Sequence, residues 1–201
     1  IYNKTKPDGF KWLSYDGEHT MVDFQINMRD KLVNAVDVDR TGPYALSDEL
    51  RFFNPQRIHQ ELCANSDYRM RFADHVYKHF FNKGVFTPEQ SIARYQARAK
   101  QIEMAIIAES ARWGDSKRDT ARTKDDDWLP ALDRIYNNYM PLRTDIVISQ
   151  FKTDNLYPSI EPPVFSSNQE IPVSEITSSN ELKLAITNPN TRGNLIYTTD
   201  G

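Results

Sequence analysis

Residues 87–114, TPEQSIARYQARAKQIEMAIIAESARWG, decide the fold class. Thr87 stands before Pro88, and Gln90 follows three residues on. That is a capping box with proline at the first helical position, where its missing N–H costs nothing. Ile92, Tyr95, Ala99, Ile102 and Ile106 then recur at three- and four-residue steps, the period of one helix face. No glycine or proline interrupts them before Gly114. The segment is therefore predicted as one rod of about 40 Å, at roughly 1.5 Å rise per residue.

The flanking sequence carries similar signals. Asn54-Pro55 is a cap with proline at the first helical position, and Ile58 and Leu62 share a face. Ser66 is the predicted cap of the next helix, in which Phe72, Val76 and Phe80 recur every fourth residue. Asn82-Lys83-Gly84 should stop it. Beyond Gly114, the cap falls to Thr123 or to one of Asp125, Asp126 and Asp127, whose carboxylates suit the positive end of a helix dipole. The stripe there is Trp128, Leu132, Ile135 and Tyr139. Pro130 requires the helix to start close before it, and Pro141 is predicted to kink or restart it. The helix then continues through Ile146, Val147, Ile148 and Phe151 to about Asp154.

Elsewhere the signals are of other kinds. Gly9 to Tyr15 alternates like a half-buried strand and runs into the turn Asp16-Gly17-Glu18. Residues 27–36 read as a short helix, and Asp37 to Pro43 as a polar loop. Composition shifts near Tyr157: of the 11 prolines, Pro158, Pro162, Pro163, Pro172 and Pro189 lie beyond it, with only Lys183 and Arg192 as basic residues. Glu181 to Ile186 and Leu195 to Thr199 read as two strands joined by a hairpin loop over 188–193. Two or three strands alone are marginal, and their open edges call for the rest of a β-sandwich. The expected organisation is a helical unit over 1–157, a proline-rich linker over 158–176 and an incomplete β module over 177–201. Ile1 in place of Met and the terminal turn dipeptide Asp200-Gly201 lead to the expectation of an excised piece of a longer protein.

Composition excludes several classes. With 39% hydrophobic and 26% charged residues in 201, a packed core is possible. No apolar run approaches the roughly 20 residues of a membrane span. A net charge of −3 argues against a general nucleic-acid binder. Cys63 is the single cysteine, so neither an internal disulfide framework nor a cysteine-rich zinc site can form.

Local patterns suggest chemistry only in part. His75 and His79, four apart, could share a metal, but the position of a zinc protease's glutamate holds Val76. Ordinary hydrogen bonds beside a buried stripe suit them better. Asp37-Val38-Asp39-Arg40-Thr41-Gly42, with Asp48 beyond, resembles part of a calcium loop. Arg40 and Pro43 oppose that reading, and a solvated loop is the default. Asp125 to Asp127 read as helix capping rather than a metal cluster. Arg112-Trp113-Gly114 reads as a helix end on which Trp113 packs, and Cys63 as buried and inert. No G-x-S-x-G elbow, phosphate-binding loop or dinucleotide glycine pattern occurs.

Three stretches together carry a resemblance: 11–20 (KWLSYDGEHT), 69–89 (RMRFADHVYKHFFNKGVFTPE) and 105–115 (AIIAESARWGD), the last followed by Trp128-Leu129 and by Pro141 to Asp145. In this order they resemble the C-terminal half of the spore-coat protein H (CotH) kinase-like family, particularly its large bacterial multidomain members. The resemblance covers about residues 10 to 157. The tail 194–201 (NLIYTTDG) is similar to the opening of the small β-sandwich at the C-terminus of chitobiases and β-hexosaminidases.

The first resemblance implies a reduced protein-kinase fold using ATP and a divalent metal, with Asp16 as the metal-binding aspartate after the strand. Glu18 takes the neighbouring acidic position; the family more often has Trp where this chain has Tyr15, and a bulkier residue at Gly17. The implied fold is mainly α, a helical C-lobe-like bundle with an N-terminal strand and a short C-terminal β segment. The lysine-bearing strand, phosphate-covering loop and catalytic-loop acid of phosphoryl transfer would belong to a lobe preceding Ile1. The chain alone is then expected to be non-catalytic and to hold Mg2+ with ATP only within an intact parent. The second resemblance implies instead an accessory region of a secreted or cell-surface glycan-processing or glycan-binding protein, with a glycan as partner.

Overall fold

The computed structural model describes residues 21, 24–25, 32–33, 36–39, 41, 55–117, 119–167 and 181–198. Asp16, Glu18, the strand expected over 9–15 and Asp48 lie outside them. The chain is mainly helical. Strands β1 (Phe24–Gln25) and β2 (Leu32–Val33) pair antiparallel, so part of the segment read as a short helix over 27–36 is strand. Helices α1 (Pro55–Leu62), α2 (Ser66–Phe80) and α3 (Pro88–Trp113) follow.

The helix ends depart from the expected caps in two places. Asn65, not Ser66, caps α2: its backbone is extended and its side chain accepts the Tyr68 N–H at 3.0 Å. Thr87 has the extended backbone of an N-cap, but its hydroxyl donates to the Gly84 carbonyl at 3.0 Å rather than accepting from the helix. The chain turning out of α2 through Asn82 (φ 51°) and Lys83 (φ 63°) brings that carbonyl into reach, so the capping box does not close. Gly84 is required by close approach. A Cβ there would lie 2.5 Å from the His79 carbonyl oxygen and 2.7 Å from that of Lys78.

Gly114 ends α3 as the sequence indicated, with φ −56°. A Cβ on it would meet the Arg122 carbonyl oxygen at 2.6 Å, where the returning loop crosses. Trp113 is 52% exposed, with the Arg112 guanidinium 5.0 Å from its ring centre. It does not pack into the bundle as expected.

Beyond Thr123 one helical rod runs from Lys124 to Thr153 in four parts. A wide π turn (Lys124–Trp128) leads into α4 (Leu129–Arg134), and a second π turn (Ile135–Tyr139) leads into α5 (Met140–Thr153). Thr123 is the cap. Its hydroxyl accepts the Asp126 N–H at 2.9 Å, and its own N–H goes to the Asp127 carboxylate at 2.8 Å. The acidic triplet thus serves the helix start, as its sequence suggested. Neither proline breaks the rod. The residue before each, Leu129 and Met140, bonds five residues back, to Lys124 and Ile135. A wider turn at that point relieves the clash of a proline ring with the carbonyl four residues earlier.

The core joins α2 to the end of α5. Val76, Ile148, Phe151, Leu156 and Tyr157 are buried together, with Phe72, Phe80 and Phe81 packed against them. Phe151 meets Phe72 and Phe80 edge-on at 5.1 and 5.8 Å between ring centres. Asn155, at φ 57°, reverses the chain so that the Leu156 and Tyr157 N–H groups both return to the Phe151 carbonyl. This tucks Leu156, 1% exposed, under the bundle. On α3, Ala99 is buried and Tyr95 meets Tyr136 edge-on at 6.0 Å, so the expected stripe faces the rod. The expected apolar face of α1 does not form: Ile58 is 52% and Leu62 40% exposed.

The second ribbon pairs β3 (Val164–Ser167) with β4 (Leu184–Thr187), antiparallel, Phe165 opposite Ile186. β4 matches the strand expected over 181–186, but its partner lies in the segment read as linker. Residues 193–198 carry no strand, so the hairpin expected across 188–193 is not formed.

Candidate functional site

The rod places a polar seam against the N-terminal segment. Arg134 Nη2 donates to the Met21 carbonyl at 3.0 Å, and Arg143 Nη1 to the Val36 carbonyl at 2.6 Å. Gln150 Nε2 donates to the Asp37 carbonyl at 3.2 Å, and the Thr41 hydroxyl donates to the Asp154 carboxylate at 2.5 Å. The contacts keep one order on both sides: Met21, Val36, Asp37 and Thr41 meet Arg134, Arg143, Gln150 and Asp154 in turn. Three of the four groups clamp main-chain carbonyls, which fixes backbone position whatever the segment's side chains.

This seam sets the surroundings of the calcium-like loop. The Asp39 carboxylate accepts the Thr41 N–H at 2.9 Å and lies 2.8 Å from the Thr41 hydroxyl oxygen, whose single hydrogen goes to the nearer Asp154. The Asp37 side chain is exposed, while its carbonyl is taken by Gln150. Among the described residues no group of three His, Cys, Asp or Glu side chains stands close enough to hold a metal. His75 and His79 stack at 6.0 Å between ring centres, but His75 is exposed and His79 turns its ring edge-on to Phe86. His75 also shares a shallow groove of about 370 Å³ with Asp67, Arg71, Asp74 and Lys78, charges of both signs on an exposed face.

His59 and Cys63 come together on α1 and the turn after it, a pairing the sequence reading missed. The Cys63 sulfur lies 3.6 Å from His59 Nε2. They do not form a nucleophile–base pair. His59 Nε2 faces the Thr41 carbonyl at 2.9 Å, which can only accept, so the proton sits on Nε2. Nδ1 then accepts the Tyr68 hydroxyl at 2.7 Å, and the imidazole has no lone pair left for the thiol. Burial, and then the Asp154 carboxylate, pushes the Cys63 thiol pKa up, while Arg69 pulls weakly the other way. A raised thiol pKa at neutral pH means little thiolate, and Cys63 is half-buried rather than buried as expected. What His59 does is structural: it bridges α2 to the same segment, at Thr41, that Asp154 holds.

Arg134, Arg143, Gln150, Asp154 and His59 were all outside the sequence-derived candidates. A signal was present. Arg143, Gln150 and Asp154 fall seven and four residues apart, a polar stripe on the helix that carries Ile148 and Phe151 inward.

Fold and seam define a helical bundle that holds an N-terminal segment. No family model, curated protein or solved structure matches the chain. No helix of the described residues is long and apolar enough to cross a membrane.

Proposed function

We propose that this chain is the supporting helical lobe of a CotH-like, metal-dependent phosphotransferase, and that it positions the segment following Asp16 rather than performing catalysis itself. The supporting observation is the seam. Arg134 holds the carbonyl of Met21, five residues past Asp16 in sequence, and Arg143, Gln150 and Asp154 continue the grip to Thr41. An acidic motif that binds Mg2+ with ATP must have its backbone fixed by something rigid. In this reading Asp16 is the metal ligand, and the lysine, phosphate-covering loop and catalytic acid come from a lobe outside this chain.

The test is thermal unfolding of the chain and of Asp16→Ala with and without Mg2+-ATP, together with an assay for ATP turnover. The chain alone should show no turnover, and any stabilisation by Mg2+-ATP should vanish in Asp16→Ala. Turnover by the purified chain, or a shift that persists in Asp16→Ala, would overturn the reading.

A second reading, an accessory region of a secreted or cell-surface glycan-processing or glycan-binding protein, rests on the β3–β4 ribbon. Val164 is 52% exposed, Phe165 42% and Leu184 46%. A two-stranded ribbon this exposed gains little from burial and is suited to a surface role. Stabilisation by chito-oligosaccharides and not by Mg2+-ATP would favour it.

A further inference from the structure

Where α2, α3 and α5 meet, a half-open cavity of about 220 Å³ lies beside the seam. Its walls are largely apolar: Phe80, Phe86, Met140 and Val147. Three hydroxyl-bearing residues line it: Thr144 donates to the Phe86 carbonyl at 2.7 Å, Ser91 donates toward the Val85 carbonyl at 3.4 Å, and Tyr139 stands beside them. Arg143 is different. Only Nη1 is engaged, by the Val36 carbonyl, and its Nε and Nη2 make no hydrogen bond among the described residues. No Asp or Glu lines the cavity among those residues either. A half-buried guanidinium that presents a donor edge beside apolar walls is suited to a planar anion.

We propose that this cavity binds a small monocarboxylate with an apolar body, the carboxylate taken by the free edge of Arg143 and the body by Phe80, Phe86 and Met140. Size restricts the ligand. A dry apolar cavity of about 150 Å³ accommodates benzene, so this one has room for a ring or branched chain with a short acidic arm. Because Arg143 also holds Val36, occupancy would couple directly to the clamp on the N-terminal segment.

The experiment titrates phenylacetate into the full chain and follows the methyl resonances of Met140, Thr144 and Val147. Saturable shifts of these methyls are expected, with uncharged phenylacetamide binding at least about tenfold more weakly. Arg143→Gln should abolish the preference for the acid. Since that variant also loosens Val36, Ser91→Leu serves as a second one: it fills the cavity, should retain the native helical circular dichroism, and should lose phenylacetate binding. A native spectrum unmoved by millimolar phenylacetate, equal binding of acid and amide, or undiminished binding by Ser91→Leu each overturns the proposal.

Discussion

Met140 donates its backbone N–H to the carbonyl of Ile135, five residues back, immediately before Pro141. Both side chains are buried, Ile135 at 5% and Met140 at 6% exposed. In a regular α-helix a five-residue step carries a side chain well off the starting face. The extra residue in the π turn restores the phase, so Leu132, Ile135, Met140, Thr144 and Ile148 line one side of the rod.

The π turn therefore acts as an accommodated insertion. Deleting Asn138, which is exposed, together with Pro141→Ala should let the turn close to regular α-helix and keep the buried stripe in register. Stability should stay within about 1 kcal/mol of the parent, because no core contact is lost. Deleting Ala97 from α3, which has no such turn, rotates everything after it and should unfold the protein. Urea midpoints and helical circular dichroism decide; equal damage from both deletions would refute this account.

Gly114→Ala tests close approach rather than conformational freedom. Its φ of −56° is acceptable to alanine, and helix propensity alone would favour the change. The Arg122 carbonyl oxygen, 2.6 Å from the new Cβ, forbids it unless the loop moves. A loss of about 1–3 kcal/mol is expected, read from denaturant unfolding. Unchanged or raised stability would show that the loop yields freely.

The contact between Thr41 and Asp154 should be worth more than its exposure suggests, because it closes the end of the seam. Thr41 is 9% exposed. Thr41→Val keeps the shape and removes the donor, at an expected cost of about 1–3 kcal/mol for a bond to a carboxylate. Amide exchange at residues 36–41 should rise more than exchange in α3. A uniform rise across the chain would mean that the seam is not a separate unit.

Tyr157 gives a signed pH dependence. Burial first, then Tyr77 and Glu161, pushes its phenol pKa up to about 12. The folded state favours the neutral phenol. The contribution is fully present below the ordinary tyrosine value of about 10 and is lost as pH rises from there through the folded value. The denaturation midpoint should fall more steeply across that window in the parent than in Tyr157→Phe, which keeps the stack on Phe81 at 5.7 Å. Parallel curves would remove the assignment.

Local sequence was enough for the mainly helical class, the span of α3 from Pro88, its end at Gly114, the Phe72–Val76–Phe80 stripe and the capping role of the acidic triplet. Each depends on near neighbours: residue spacing, a proline or glycine at a fixed offset, a carboxylate beside a free N–H. Tertiary structure alone decided the rest. It passed the rod through Pro130 and Pro141, moved the partner of β4 to residues 164–167, left Ile58 and Leu62 exposed, and assembled the seam. The seam's four bonds join residues 107 to 113 apart in sequence. No local pattern encodes such pairings, because they exist only once the packing of Phe151, Leu156 and Val76 has brought the two ends of the helical unit together.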